Sequence, residues 1–179
     1  LGSYQAMFNR MLTDGMTVVS NSWSYCEDQT SAADLNSMDS VLASLAASGI
    51  TVLNASGDTG STCLNGAPNT IGVPAGSPHA TAVGGSSYTW GPAPLYTGTE
   101  RWWNGAASNP PTGQGGFGVS RHYARPAFQN GFTASSFRSI PDVVAAADPV
   151  TNGKPICQAS KGGCPSGLFY GGTSVAAPM

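Results

Sequence analysis

The segment Gly171-Gly172-Thr173-Ser174-Val175-Ala176-Ala177-Pro178 carries the clearest chemical signal in the chain. Two glycines let a backbone turn sharply after the apolar run Leu168-Phe169-Tyr170, and Ser174 then falls at the start of a helix with its hydroxyl exposed. Free N–H groups at such a start favour a developing negative charge, which suits a serine that attacks a carbonyl carbon. Small residues at Ala176 and Ala177 let that helix pack closely on a sheet. Gly-Thr-Ser by itself is equally a helix cap. The longer string Gly-Thr-Ser-x-Ala-x-Pro is far more specific. A second segment, Ala55-Ser56-Gly57-Asp58-Thr59-Gly60, supplies a carboxyl group. Protonated at low pH, Asp58 would donate a hydrogen bond to an oxyanion as an amide does. Its simpler reading is a surface turn.

Both segments need a scaffold, and the hydrophobic pattern describes one. Leu1, Tyr4, Met7, Phe8, Met11 and Leu12 recur at helical spacing, and Thr17-Val18-Val19-Ser20 reads as a short buried strand. A helix begins near Ser31, where Asp34 completes a capping-box-like Ser-x-x-Asp, buries Leu35, Met38, Val41, Leu42 and Leu45, and stops at Gly49. Ile50-Thr51-Val52-Leu53 follows as a second buried strand. Strand, helix and strand with short connections form a βαβ unit with parallel neighbours and a right-handed crossover. Ligands of such sheets lie beyond the carboxyl ends of the strands, here Asn21-Ser22-Trp23-Ser24 and the segment around Asp58. A third strand is expected over Ala80 to Gly84, and a further one over Ile140 to Ala145. Residues Trp90 to Arg138, rich in Gly, Pro and aromatic side chains, read as long surface loops with short strands. A hairpin tied by Cys157 and Cys164 is expected to lead back into the sheet at Leu168-Phe169-Tyr170.

Composition narrows the function classes. The 179 residues are 40% hydrophobic and 9% charged with net charge −2, a balance that opposes intrinsic disorder. Seven Lys and Arg make no basic patch, so nucleic acid is not an expected partner. No apolar run approaches the roughly 18 residues of a membrane span, so neither is a membrane. Sparse charge and four Cys point to a secreted protein, with an acidic organelle or the periplasm as alternatives. Four Cys allow three pairings, of which Cys26–Cys63 with Cys157–Cys164 is preferred. CxxC-like zinc spacing is absent.

The Ser174 string resembles the nucleophile motif of the subtilisin-like serine peptidases, a clan that includes subtilisins and sedolisins, the serine-carboxyl peptidases. Ser56-Gly57-Asp58-Thr59-Gly60 is similar to the Gly-Asp-x-Gly of sedolisins, where subtilisins place an Asn. Neither His79 nor His122 lies in the His-Gly-Thr context of a subtilisin base. Val18-Val19-Ser20-Asn21-Ser22-Trp23 looks like the sedolisin strand whose Ser-Trp-Gly lines the substrate channel, with Ser24 in place of the Gly. Val73 to Pro78, Val83-Gly84-Gly85, Trp103-Asn104, Gly116 to Arg121 and Pro141-Asp142-Val143 follow in sedolisin order.

The resemblance implies an α/β, subtilisin-like three-layer fold with a mostly parallel central sheet, incomplete here, and residues 1–179 as a single, partial catalytic domain. It implies Ser174 as nucleophile, Asp58 at the oxyanion, and Ser22, Trp23, Ser24, Gly116 and Gly118 against an extended peptide. The family's general base is a Glu in Glu-x-x-x-Asp. Glu27 and Glu100 are followed four residues on by Ser31 and Asn104, so the motif is expected before Leu1. Calcium is the implied cofactor, with ligands expected beyond Met179 and no metal ligand in this chain. Expected partners are a peptide or protein substrate, the protein's own propeptide and the remaining catalytic-domain segments. The implied activity is that of an acid-acting endopeptidase or tripeptidyl-peptidase. The rivals are a subtilisin whose Asp and His lie upstream, and a non-catalytic binding relative with the same fold.

Overall fold

A computed structural model describes residues 2–63, 68–90, 96–106, 111–164 and 167–179. The chain opens with helix α1 (Gly2–Thr13), whose Phe8 is fully buried, and enters strand β1 (Val18–Asn21). The two-residue β2 (Tyr25–Cys26) leads to α2 (Ala32–Ala47). Ser31 caps α2 as its spacing to Asp34 predicts, accepting the Asp34 N–H while its hydroxyl donates to the Asp34 carboxylate. Strand β3 (Thr51–Ala55) then pairs parallel to β1, with Val19 opposite Val52 and Asn21 opposite Asn54. The βαβ unit is therefore present.

After β4 (Gly72–Val73), strand β5 (Thr81–Trp90) runs parallel to β3 over its first residues and carries on well past Gly84. Two glycines that read as the strand's end instead permit close packing. A Cβ on Gly84 would meet Pro141 at 2.6 Å, and one on Gly85 would meet Ala147 at 2.7 Å. The far half of β5 pairs antiparallel with β6 (Tyr96–Trp102). β7 (Gly118–Ala124) and β8 (Phe137–Ile140) form a separate antiparallel ribbon. Two seven-residue strands thus stand where loops with short strands were expected. The apolar run at 140–145 divides at Pro141-Asp142, and β9 (Val143–Ala146) pairs parallel with β5. β10 (Lys154–Pro155) and β11 (Phe169–Tyr170) make their own two-stranded sheet, so the segment at 168–170 does not rejoin the central sheet as expected. It delivers the chain into the short helix α3 (Thr173–Ala176).

Helices cover both faces, giving three layers around a mostly parallel sheet. Phe8, Leu35, Met38, Leu42 and Leu45 of α1 and α2 pack on Val19 and Val52. On the opposite face Ala176 and Ala177 pack on Ala55, Val83 and Ala147, small side chains that let α3 lie close. Each large aliphatic side chain so buried contributes about 1.5–3 kcal/mol of transfer free energy. β1, β6 and β9 are edge strands of the sheet among the described strands, and Val18, Val143 and Val144 on β1 and β9 are 61%, 51% and 50% exposed. Disulfides join Cys26 to Cys63 and Cys157 to Cys164, the preferred pairing of the three.

Candidate active site

The carboxyl ends of β1 and β3 are locked together by an amide pair, with Asn21 Nδ2 donating to Asn54 Oδ1. Asn21 Nδ2 also donates to the Trp23 carbonyl, and Asn54 Nδ2 to the Ala55 carbonyl. Both chains leaving the sheet are thereby fixed where they turn outward. The elbow before α3 is equally constrained. Gly171 packs against the Ala147 carbonyl with no room for a side chain, Gly172 adopts φ 102°, and the Gly172 N–H donates to Ala147 O at 2.6 Å. Only glycine adopts that φ without strain.

This geometry brings Ser174 and Asp58 to one cleft of about 220 Å³. Ser174 is exposed, and among the described residues its hydroxyl has no hydrogen-bond partner. Its carbonyl accepts from Ser22 Oγ at 3.3 Å, which ties the end of β1 to the serine elbow. Asp58 Oδ1 accepts the Thr173 N–H at 2.7 Å and lies 2.7 Å from Thr173 Oγ1. The carboxyl group is thus held against the residue that precedes the serine. Ser22, Trp23 and Ser24 line the cleft, and Trp23 is 71% exposed.

Two of the expected residues sit elsewhere. Gly116 is buried behind the wall, its N–H donating to Gly57 O at 2.7 Å and its carbonyl accepting from Ser56 Oγ at 2.7 Å. Its backbone is therefore engaged within the fold, and Phe117 is the residue of that segment that faces the cleft. Gly118 lies at the start of β7 opposite Ile140, where a Cβ would meet Ile71 at 2.8 Å. Both glycines support the wall rather than form it. Thr173 also lines the cleft, and Cys63, Thr70 and Ile71 make its floor, none of which motif spacing signals. The Cys26–Cys63 bridge was the available pointer to that floor.

The histidines are remote from Ser174. His79 Nδ1 contacts Asp39 Oδ1 at 3.0 Å, and His122 Nε2 contacts Asn36 Oδ1 at 2.8 Å. Asp142 pairs with the buried Arg138. Burial alone would raise the Asp148 carboxyl, but donors from Ser87, Val150 and Thr151 outweigh it and hold the group below its ordinary range. Both carboxylates are engaged in structure. Glu27 is buried and accepts from Ser120 Oγ and the Arg121 N–H, so it braces β7. Among the described residues no three His, Cys, Asp or Glu side chains converge that could hold a metal ion.

A three-layer sheet with a serine elbow at its carboxyl end, and a carboxyl group where the neighbouring strand ends, defines a subtilisin-like fold of the serine-carboxyl type. The comparisons agree. Kumamolisin from Bacillus sp. (strain MN-32) is 32% identical over 174 residues, which is 91% of this chain and 29% of that protein. Sedolisin from Pseudomonas sp. (strain 101) is 31% identical over 145 residues, 76% of this chain and 25% of the relative. The solved Pseudomonas sedolisin, a serine-carboxyl proteinase complexed with two molecules of pseudo-iodotyrostatin, superposes with TM-score 0.81 at 30% identity. That match covers 97% of this chain and 48% of the solved one. No protein-family model matches. The chain belongs to the sedolisin family. It spans about 29% of the length of kumamolisin.

Proposed function

We propose that this chain is the nucleophile-bearing part of a serine-carboxyl peptidase that cleaves peptide bonds in acid. Ser174 Oγ attacks the scissile carbonyl carbon, and its proton passes to a Glu supplied by sequence outside this chain. The protonated Asp58 and the Ser174 N–H donate to the oxyanion. Collapse of that adduct breaks the C–N bond as the Glu returns the proton to the leaving amine. Water then attacks the acyl carbon with the same Glu as base, the acyl C–Oγ bond breaks to release the acid product, and the Glu returns the proton to Ser174 Oγ. A carboxylate base suits acid operation, where a histidine is already protonated. The extended peptide runs past Ser22, Trp23 and Ser24 towards Phe117, as an endopeptidase or tripeptidyl-peptidase substrate would. Secretion and a structural calcium bound by segments outside this chain complete the reading.

The observation that carries it is the Asp58 carboxyl held on the Ser174 elbow through Thr173. The test is an acylating active-site probe offered to the full-length protein and to its Ser174→Ala variant at acid pH. Labelling at Ser174 with loss of nearly all turnover in the variant is the expected result. A variant that keeps more than a few per cent of activity removes Ser174 from the role, and a folded wild type that neither labels nor cleaves supports a binding relative instead.

A further inference from the structure

We propose that Thr173 is a positioning residue that fixes which oxygen of Asp58 carries the proton, and so aims the oxyanion donor. The inference rests on the oxyanion reading above. Oδ1 accepts the Thr173 backbone N–H at 2.7 Å and lies 2.7 Å from Thr173 Oγ1. The hydroxyl also lies 3.1 Å from Gly57 O and accepts the Gly57 N–H at 3.2 Å. A hydroxyl has one proton to give. The shorter contact assigns it to Oδ1, which then accepts two donors and has no place for a proton of its own. The acid proton is therefore on Oδ2. That oxygen faces the elbow, where a Cβ on Gly172 would stand 2.8 Å from it, and it makes no hydrogen bond among the described residues. Glycine at 172 leaves the donor open to the cleft.

The same donors have two effects. They orient the acid, holding Oδ1 on Thr173 and leaving Oδ2 at the elbow, and a change in either donor alters both that orientation and the carboxylate's hydrogen bonding. The general-base Glu of the full-length protein titrates at this cleft too, and the Asp58→Asn background separates its contribution from that of Asp58. Around Asp58 the end of β1 presents Ser22 and Trp23, the 59–72 wall presents Thr59 and Thr70, the 112–117 segment presents Phe117, and α3 presents Ser174. Among the described residues that line the cleft, Asp58 alone titrates, since Cys63 is in a disulfide.

The experiment is the pH profile of kcat in the full-length protein for wild type, Thr173→Val and Thr173→Ser, each with Asp58 or with Asp58→Asn. Removing the hydroxyl takes a donor from the carboxylate, so the neutral acid persists to higher pH. Thr173→Val is expected to move the alkaline limit upward by about one pH unit while kcat falls about tenfold. Thr173→Ser is expected to restore the wild-type limit. With Asp58→Asn the upward shift on Thr173→Val must vanish, because an amide does not titrate there. An unmoved limit in Thr173→Val, or the same shift in the Asn background, overturns the inference and leaves the oxyanion reading standing. Equal, small losses in Asp58→Asn and Asp58→Ala sink the oxyanion reading itself. If the Val variant does not fold, Thr173→Ala replaces it, and if neither folds, a shifted limit in Thr173→Ser overturns the proposal while an unshifted one supports it.

Discussion

At Asp58 the two oxygens have different neighbours, and substitution separates their contributions. In Asp58→Asn the carbonyl oxygen takes the contacts to Thr173, which turns the NH2 to the elbow, so a donor remains and the alkaline limit of activity should rise. Asp58→Ala should lose on the order of 10²–10³ in kcat. Steady-state profiles of both variants check this. Gly172→Ala is expected to cost about 1–3 kcal/mol, because φ 102° strains any side chain and its Cβ would crowd Asp58 Oδ2. Denaturant unfolding measures it. Glu27→Gln should be similarly damaging. Ser120 Oγ already accepts from the His122 and Tyr123 N–H groups, so a Gln NH2 would face an oxygen with no lone pair left. Ser174 and Asp58 were legible in the sequence because each sits in a motif whose neighbours share its role. Thr173 was not, since its hydroxyl works on a carboxyl 115 residues away in the chain, a contact only the folded sheet creates. Gly116 was misplaced for a related reason: a glycine that admits a close backbone looks the same in sequence whether the visitor is substrate or, as here, Ser56.

Among the elements, those with strong periodicity were read correctly. α1, α2, β1 and β3 bury one face each, and α2 carries its start signal at Ser31. Ser31→Ala should lower stability by about 1 kcal/mol, read from the denaturation midpoint. β5 and β7 were largely hidden because Gly84, Gly85 and Gly118 serve close packing, and sequence alone does not separate that use from a turn. The cleft floor depends on the Cys26–Cys63 bridge, which closes a 37-residue separation and anchors the segment carrying Cys63, Thr70 and Ile71. Replacing both cysteines by serine should cost about 4 kcal/mol by the loop-entropy relation. On the proposed reading, in which the peptide lies in this cleft, KM should rise more than kcat falls.

For the molecule as a whole, the 179 residues expressed by themselves should be catalytically silent. Asp58 is the one titratable side chain among the described residues that line the Ser174 cleft, and in the proposed mechanism it serves as the oxyanion donor rather than the base. A quenched peptide substrate at acid pH tests this, and turnover abolished by Ser174→Ala would contradict the assignment. Acid stability follows from Asp148. Its folded pKa lies below the unfolded value of about 3.9, so its contribution is complete above that value and is lost as pH falls through the folded one. Wild type should therefore lose its stability advantage over Asp148→Asn only below about pH 4, by thermal unfolding across the acid range. The open strands β1 and β9 have a colloidal consequence for that same preparation. At pH 7, with a net charge of −2, chains repel one another weakly at long range, and exposed valines with unpaired backbone then dominate their encounters. The osmotic second virial coefficient should be negative and nearly indifferent to added salt, and a single lysine at Val18 should move it towards zero.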